Sequence, residues 1–194
     1  MPLRNRVTPL GDVVAVADRG LVYGNRGCLH DAGGRIVRRA ATRRWISCRL
    51  AYRGWYRSPV PQPGRYTGLF FLDDATALAA GHRPCALCRR RDYERVLAVL
   101  GVSGADELDR TLDAERRSPR TTVDTATLPD GAFVLVAGEP QLVLAGRLRR
   151  WEPGGYREPR RPPREAELVT PPSLVSVLGA GWDPVVPFLH PSAY

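Results

Sequence analysis

Apolar residues recur at helical spacing directly after a pair of closely spaced cysteines. Between Arg89 and Leu100, one face of a helix would carry Tyr93, Val96, Leu97 and Leu100. This i, i+3, i+4, i+7 spacing is typical of an amphipathic helix. The preceding segment, Asp74 to Ala80, is rich in alanine, follows a preferred N-cap residue in Asp73 and ends at Gly81. The pattern therefore predicts a short helix, a tight connection and a longer helix.

Alternating or valine-rich segments predict the β-strands. In the best of them, residues 45–52, alternation places Cys48 on the apolar face together with Ile46 and Leu50. A short strand at Cys28 and His30 is followed by a glycine turn and a return at 35–38. The other predicted strands are 12–17, 68–72, and a hairpin of 132–137 with 142–145.

Other stretches are less regular. Residues 20–27 contain three glycines, and we favour a glycine turn there over a loop in which backbone approaches a ligand closely. Residues 104–117 are charged around Leu108 and Leu112, which favours a solvated surface helix. We expect a linker at 118–130, and a short helix to about residue 178 with Thr170 as its N-cap.

These elements, in a chain of 194 residues with 43% hydrophobic content, predict an α+β fold. We expect a zinc-stapled N-terminal α+β part at residues 1–117 and a smaller β-rich C-terminal part at 118–194. No apolar run is long enough to cross a membrane, and the basic start leads into no secretory signal. We therefore expect a cytoplasmic protein without a membrane partner; the oligomeric state is left open.

The net charge of +9 changes the functional picture. All 29 basic residues are arginine, and a GC-rich genome explains the choice of arginine over lysine but not the excess of positive charge. A strongly basic chain indicates a polyanionic partner, most often nucleic acid, and we expect DNA rather than RNA. Arginines interleaved with aromatic residues suit phosphate contacts and base stacking. The candidates are Arg53, Arg57, Arg83, Arg89, Arg90, Arg149, Arg150 and Trp151.

The cysteines supply the candidate chemistry. Cys85 and Cys88 form a C-x-x-C pair, which is half of a structural zinc site, and Cys48 can reach it from the neighbouring strand. The fourth ligand is either Cys28 or His30. The simpler alternative leaves Cys28 and Cys48 as buried apolar residues and the C-x-x-C pair as free thiols. A thioredoxin-type redox pair is disfavoured because no βαβ unit precedes the motif.

An enzyme is the competing interpretation. His30 and Asp31 can act as a general base or a second metal site, and His190 can join them from the C-terminal end. This predicts a metal-dependent hydrolase such as a nuclease, although no Walker, G-x-S-x-G or H-E-x-x-H motif is present. A third interpretation is a protein-interaction adaptor whose charge reflects genome composition alone.

Residues 69–89, Leu-Phe-Phe-Leu-Asp-Asp-Ala-Thr-Ala-Leu-Ala-Ala-Gly-His-Arg-Pro-Cys-Ala-Leu-Cys-Arg, resemble part of a known family. They are similar to the second half of the zinc-binding N-terminal domain of Ada-type DNA-alkylation repair proteins. The resemblance implies a Cys₄ zinc site on a small α+β unit that contacts DNA phosphates. In that family the other two ligands are a close pair, whereas here Cys48 stands alone. Zinc ligation therefore carries over to Cys85, Cys88 and then Cys48, and methyl transfer does not carry over.

The rest of the chain, including its opening Arg-Asn-Arg-Val-Thr-Pro, resembles uncharacterised bacterial proteins, which implies no function. Together these observations predict a zinc-binding protein that binds nucleic acid in DNA repair, processing or defence. The predicted metal ligands are Cys28, Cys48, Cys85 and Cys88.

Overall fold

The computed structural model describes residues 1–56, 64–181 and 189–194, except for the side chains of Trp55 and Tyr56. Within these ranges the chain forms two six-stranded β-sheets, a two-stranded ribbon and four α-helices. The fold is α+β with a β-rich C-terminal part, as the sequence predicts.

The first sheet is mixed. Its strands are β1 (Arg4–Val7), β2 (Val13–Ala15), β3 (Val22–Asn25), β4 (Ile46–Cys48), β7 (Leu69–Phe71) and β8 (Arg83–Pro84). They lie in the order β2-β1-β7-β3-β4-β8, and β1–β7 and β4–β8 are the parallel pairs. Between β4 and β7, the chain forms the small ribbon of β5 (Ala51–Tyr52) and β6 (Trp55–Tyr56).

The second sheet is antiparallel throughout. Its strands are β9 (Thr122–Asp124), β10 (Phe133–Val136), β11 (Glu139–Leu144), β12 (Arg147–Glu152), β13 (Gly155–Arg160) and β14 (Glu165–Leu168). The order β13-β12-β11-β10-β14-β9 makes β10–β13 a meander, with β14 and β9 added along its other edge.

Helix α1 (Asp74–Ala79) is buried along its whole length. Asp73 caps it as predicted, since its carboxylate accepts a hydrogen bond from the Thr76 amide at 2.9 Å. Ala77 packs with the apolar residues of the first sheet, while Ala75 packs with Phe133 of the second. The small side chains therefore let one helix lie against the cores of both sheets.

Helices α2 (Arg90–Leu100), α3 (Ala105–Arg117) and α4 (Pro172–Gly179) cover the second sheet. Helix α2 is amphipathic as predicted, with Tyr93 and Val96 buried. The solvated surface helix predicted at 104–117 is wrong, because Leu108 and Leu112 of α3 are completely buried in the same cluster as the second sheet. Two apolar residues four positions apart lie on the same face of the helix, and both pack against the second sheet.

The largest apolar cluster runs across the predicted division at residues 117 and 118. It joins α2 and α3 to the second sheet and α4, and another cluster joins Leu72 and α1 to Tyr156 and Leu189. The division into 1–117 and 118–194 thus stays a prediction about chain organisation, but the two parts share their cores.

Other elements also differ from the sequence predictions, and the strand predicted at Cys28 and His30 is only an isolated bridge between His30 and Ile36. Residues 20–27 contain strand β3 rather than only a turn, and the 118–130 linker contains β9 and a 3₁₀ turn at Thr125–Thr127. The Arg/Pro-rich stretch 147–164, for which the sequence predicts no regular element, forms the β12–β13 hairpin. Pro171, not Thr170, is the N-cap of α4, because the Thr170 hydroxyl accepts a hydrogen bond from the Phe133 amide instead.

In the described part of the chain, none of the helices combines the length and apolar character needed to span a membrane.

Candidate metal centre

Three of the four predicted cysteine ligands converge at one edge of the first sheet. Cys48 ends strand β4, and the parallel pairing of Ser47 with Pro84 places the start of the C-x-x-C turn beside it. The Cys85 amide donates to the Ser47 carbonyl at 2.9 Å, which fixes the turn to β4. The Sγ atoms of Cys48, Cys85 and Cys88 all lie within 4.8 Å of one another. Sequence positions far apart thus form one compact thiol cluster.

Backbone amides point at two of these sulfurs. The Leu87 amide lies 3.4 Å from Cys85 Sγ, and the Arg49 amide lies 3.5 Å from Cys88 Sγ. Amide donors stabilise a thiolate, the form of cysteine that binds a metal. The arrangement therefore favours negatively charged sulfur at the cluster.

The three thiols also act on one another. Hydrogen bonds with Cys48 and Cys88 lower the pKa of Cys85, while hydrogen bonds with Cys85 and Cys88, together with burial, raise the pKa of Cys48. Cys85 is therefore the sulfur that is deprotonated first, and its negative charge disfavours deprotonation of Cys48. A cation at the centre would relieve this competition, because a bound metal removes the thiol protons outright.

Aromatic residues close the cluster from the sheet side. Cys48 and Cys88 pack with Tyr23 and Phe70, whose rings meet edge to face at 5.3 Å. The guanidinium of Arg6 lies 4.8 Å above the ring of Phe70. Cys48 and Cys88 are therefore buried against apolar side chains, where charge attraction between thiolate and metal is strong, while Cys85 is half-buried.

Cys28 does not join the cluster. In the antiparallel β3–β4 pair, Tyr23 lies opposite Cys48 and Asn25 lies opposite Ile46, so the chain beyond Asn25 runs away from Cys48. The Cys28 thiol instead contacts the carbonyl of His30 at 3.6 Å. Within the described residues, no fourth Cys, His, Asp or Glu belongs to this close group.

Arg83 and Arg89, which flank the cysteine pair, form ion pairs within the protein. Arg83 is 3% exposed, and its guanidinium forms two hydrogen bonds to the Asp109 carboxylate at 2.9 and 3.0 Å. Arg89 forms ion pairs with Asp74 and Asp92. These contacts occupy both guanidinium groups inside the protein, and the role of Arg83 and Arg89 as nucleic-acid ligands stays a prediction.

The remaining predicted arginines are more accessible. Arg53 is exposed at the tip of the β5–β6 ribbon and lies over the ring of Tyr52, while Arg90 is exposed and pairs with Glu94. Arg149 and Arg150 are half-buried in β12, and Arg150 pairs with Glu139 and Glu152. Arg57 lies outside the described residues.

Trp151, predicted to stack on a base, packs against α1 instead. Its indole nitrogen donates to the Thr76 hydroxyl at 3.1 Å, and its ring packs on the buried cluster around Phe133. Trp151 is half-buried by these contacts, and its role as a nucleic-acid ligand stays a prediction.

Each of the three catalytic candidates has a hydrogen-bond partner of its own. The ring of His30 is buried against the Thr67 hydroxyl at 2.6 Å, and Asp31 accepts a hydrogen bond from the Arg35 amide, which lowers its pKa. The His190 amide donates to Asp73 at 3.0 Å. In the described ranges, none of these residues belongs to a group close enough to hold a metal ion.

The sequence did not reveal a second polar cluster, built around Trp45. Arg26 is completely buried, with its guanidinium 3.8 Å above the Trp45 ring, and Arg116 lies 4.3 Å from the same ring. The Nε of Arg26 donates to Nε2 of His82 at 3.1 Å. The sequence signal for this cluster was the pair of glycines on either side of Arg26. Gly24 and Gly27 allow close packing, because a Cβ at either position would lie less than 3.0 Å from a neighbouring atom.

Searches against protein-family models, curated proteins and solved structures find no match for this chain. The resemblance of residues 69–89 to the Ada-type zinc-binding domain therefore stays a prediction, and the geometry of the thiol cluster carries the functional argument.

Proposed function

We propose that Cys48, Cys85 and Cys88 bind one zinc ion, and that the protein binds nucleic acid beside this centre. The observation that carries the proposal is the convergence of three sulfurs within 4.8 Å of one another, two of them with amide hydrogen bonds. Thiolates select soft or borderline metals, and zinc with cysteine ligands is the commonest structural case.

Three protein ligands leave one position of a tetrahedral zinc ion for another group. The remaining cysteine and the three histidines of the chain all have contacts or locations elsewhere, with Cys28 at the His30 carbonyl and His82 at Arg26. We infer that the fourth ligand is a solvent molecule or an oxygen of a bound partner, so this site differs from the closed Cys₄ shell that the resemblance implies.

The nucleic-acid part of the proposal rests on charge. The chain carries a net charge of +9, and three exposed arginines, Arg49, Arg53 and Arg90, belong to the segments that build the thiol cluster. We call these three residues the basic rim. Arginines suit phosphate oxygens through their planar fork of donors. We propose DNA as the preferred partner, in repair, processing or defence.

The metal is tested by elemental analysis of the purified protein and its variants. We expect one zinc per chain, lost in Cys48→Ser and Cys85→Ser and retained in Cys28→Ser. Retention in the last variant is the matched control, because Cys28 is a half-buried thiol outside the cluster. Protein without metal, or equal loss in all three variants, would contradict a three-cysteine site.

Nucleic-acid binding is tested by gel shift on duplex DNA and on RNA over a range of salt concentrations. Replacing the basic rim by glutamine should reduce the slope of log K against log salt by up to about 0.9 per lost phosphate contact. The control replaces three exposed arginines outside the rim, Arg35, Arg38 and Arg117, with the same charge change.

No retardation at low salt would refute the nucleic-acid proposal and favour the adaptor. Cleavage of the DNA on addition of magnesium or manganese would instead favour the hydrolase, and His30→Ala would then be the variant to examine.

A further inference from the structure

A cavity of about 420 Å³ lies beside Trp45, at a different place from the thiol cluster. Its wall includes Arg39, Glu115, Arg116, Arg120 and Thr121 as well as Trp45. This volume is within the usual range for sites that hold a small organic ligand. The charged residues of the wall are three arginines and one glutamate, and this excess of positive charge points to an anion.

Arg26 adds a buried positive charge behind this wall. Its Nη1 donates to the Gly11 carbonyl at 2.8 Å, while its Nη2 is buried and has no hydrogen-bond partner among the described residues. None of the ion pairs in that part of the chain involves Arg26. Burial and the nearby Arg39 and Arg116 lower its pKa to about 9. A buried charge without a counter-ion is costly, so an anion nearby would stabilise it.

Gly11 brings two of these guanidinium groups together. A Cβ atom built on Gly11 would lie 3.0 Å from Nη2 of Arg39 and 3.7 Å from Nη2 of Arg26. The positive φ of 84° at this residue also favours glycine. The turn between β1 and β2 thus leaves room for Arg26 beside Arg39. Arg39 itself lines the cavity.

Two further polar atoms in the wall lack partners in the described structure. They are Nε of Arg116, a donor, and Oε2 of Glu115, an acceptor. The other oxygen of Glu115 is occupied, since it accepts hydrogen bonds from the Ser173 amide at 3.1 Å and the Ser173 hydroxyl at 2.6 Å. The other nitrogens of Arg116 are engaged, since Nη1 donates to the Gly81 carbonyl at 2.8 Å and Nη2 pairs with Asp113 at 3.3 Å. The exposed arginines of the wall are therefore Arg39 and Arg120, which suit an anionic group, and the unused oxygen of Glu115 suits a hydrogen-bond donor.

A phosphate monoester carries close to two negative charges and three strong acceptor oxygens, which suits several arginines better than a carboxylate does. We propose that this cavity binds a small phosphorylated organic molecule of nucleotide size, with its phosphate at Arg39 and Arg120 and a hydroxyl or amino group at Glu115. This site is independent of the metal and of the basic rim.

The test is calorimetric titration of the whole protein at low salt with nucleoside 5′-monophosphates, the matching nucleosides and inorganic phosphate. We expect the monophosphates to bind more tightly than either of the other two probes. Arg39→Gln should weaken their binding at least tenfold, because it removes one charge-assisted contact. Arg120→Gln, another exposed arginine of the wall, provides a second variant, and Arg91→Gln on α2 is the control with equal charge change.

The outcomes separate clearly. Tenfold weakening in Arg39→Gln with unchanged affinity in Arg91→Gln supports the proposal. Absence of monophosphate binding at millimolar concentration would overturn it, and so would unchanged affinity in both wall variants. Equal affinity for inorganic phosphate would overturn the assignment of an organic ligand, and equal affinity for the nucleosides would overturn the assignment of the phosphate to the arginines.

Discussion

Removal of the Asp109 carboxylate should destabilise the protein more than its place on a charged helix suggests. Asp109 and Arg83 have side chains that are each 4% exposed, and they form two hydrogen bonds at 2.9 and 3.0 Å. Asp109→Ala leaves the Arg83 guanidinium buried without a counter-ion. Breaking one side of a buried ion pair costs about 3–5 kcal/mol. For a chain of this size, that loss lowers Tm by roughly 6–20 °C.

The assay is urea and thermal unfolding, measured on samples of equal metal content. Asp106→Ala is the matched control, because Asp106 lies one turn earlier on α3 and its ion pair with Arg44 is exposed on both sides. An exposed pair contributes at most about 1 kcal/mol. We therefore expect a difference of at least about 2 kcal/mol between the two variants.

A second experiment distinguishes the buried charge from general damage to the helix. Replacing both partners, with Arg83→Met and Asp109→Leu, should recover most of the lost stability, because no unpaired charge then remains. Equal unfolding free energies for Asp109→Ala and Asp106→Ala would refute the reasoning, and so would a double variant as unstable as the single one.

Two further predictions follow from close contacts in the core. Tyr156→Phe should cost about 1–3 kcal/mol in urea unfolding, because the buried Asp73 carboxylate loses the phenol donor at 2.8 Å; a cost below 0.5 kcal/mol, on the order of a surface substitution, would show that this donor is dispensable. Gly24→Ala should cost about 1–3 kcal/mol or more, since a Cβ there would lie 2.4 Å from the Ile46 carbonyl oxygen. Gly179→Ala, at the last residue of α4, is its control and should not destabilise the protein, because a Cβ there meets nothing within 4 Å and alanine is the better helix former.

The sequence predicted the elements whose information is local. Asp73, the alanine-rich helix after it and the apolar face of α2 depend on neighbours within one or two turns, and the structure contains them nearly as expected. The proximity of Cys48 to Cys85 was also accessible, because a predicted strand with one apolar face placed that cysteine toward the core.

The errors came from charged residues whose partners are distant in the chain. Asp109 made the helix look solvated, because its ion-pair partner Arg83 lies 26 positions earlier in the chain. No residue close to Asp109 in the sequence indicates this pairing. The β12–β13 hairpin was missed because its arginines and prolines resemble a loop. Proline is tolerated in this strand because β13 is the edge strand of its sheet. An edge strand has one side without ladder hydrogen bonds, so the missing N–H of Pro159 is acceptable there.

The prediction of Cys28 as a metal ligand differs from the structure for a similar reason. Its spacing in the sequence allowed it to reach the C-x-x-C pair, and only the register of β3 on β4 reveals that it lies elsewhere. Register depends on pairing across the whole sheet and is therefore the kind of information that a single sequence supplies least.

The shared core has a consequence for how the protein is made. Leu108 and Leu112 of α3 are buried with Val134 of the second sheet and with Leu174 and Leu178 of α4. When the ribosome has produced only the first 117 residues, the apolar sides of α2 and α3 still lack the surface that covers them. Folding of these helices is therefore completed only after residue 178 has emerged, and until then the nascent chain presents an apolar face that a chaperone can bind.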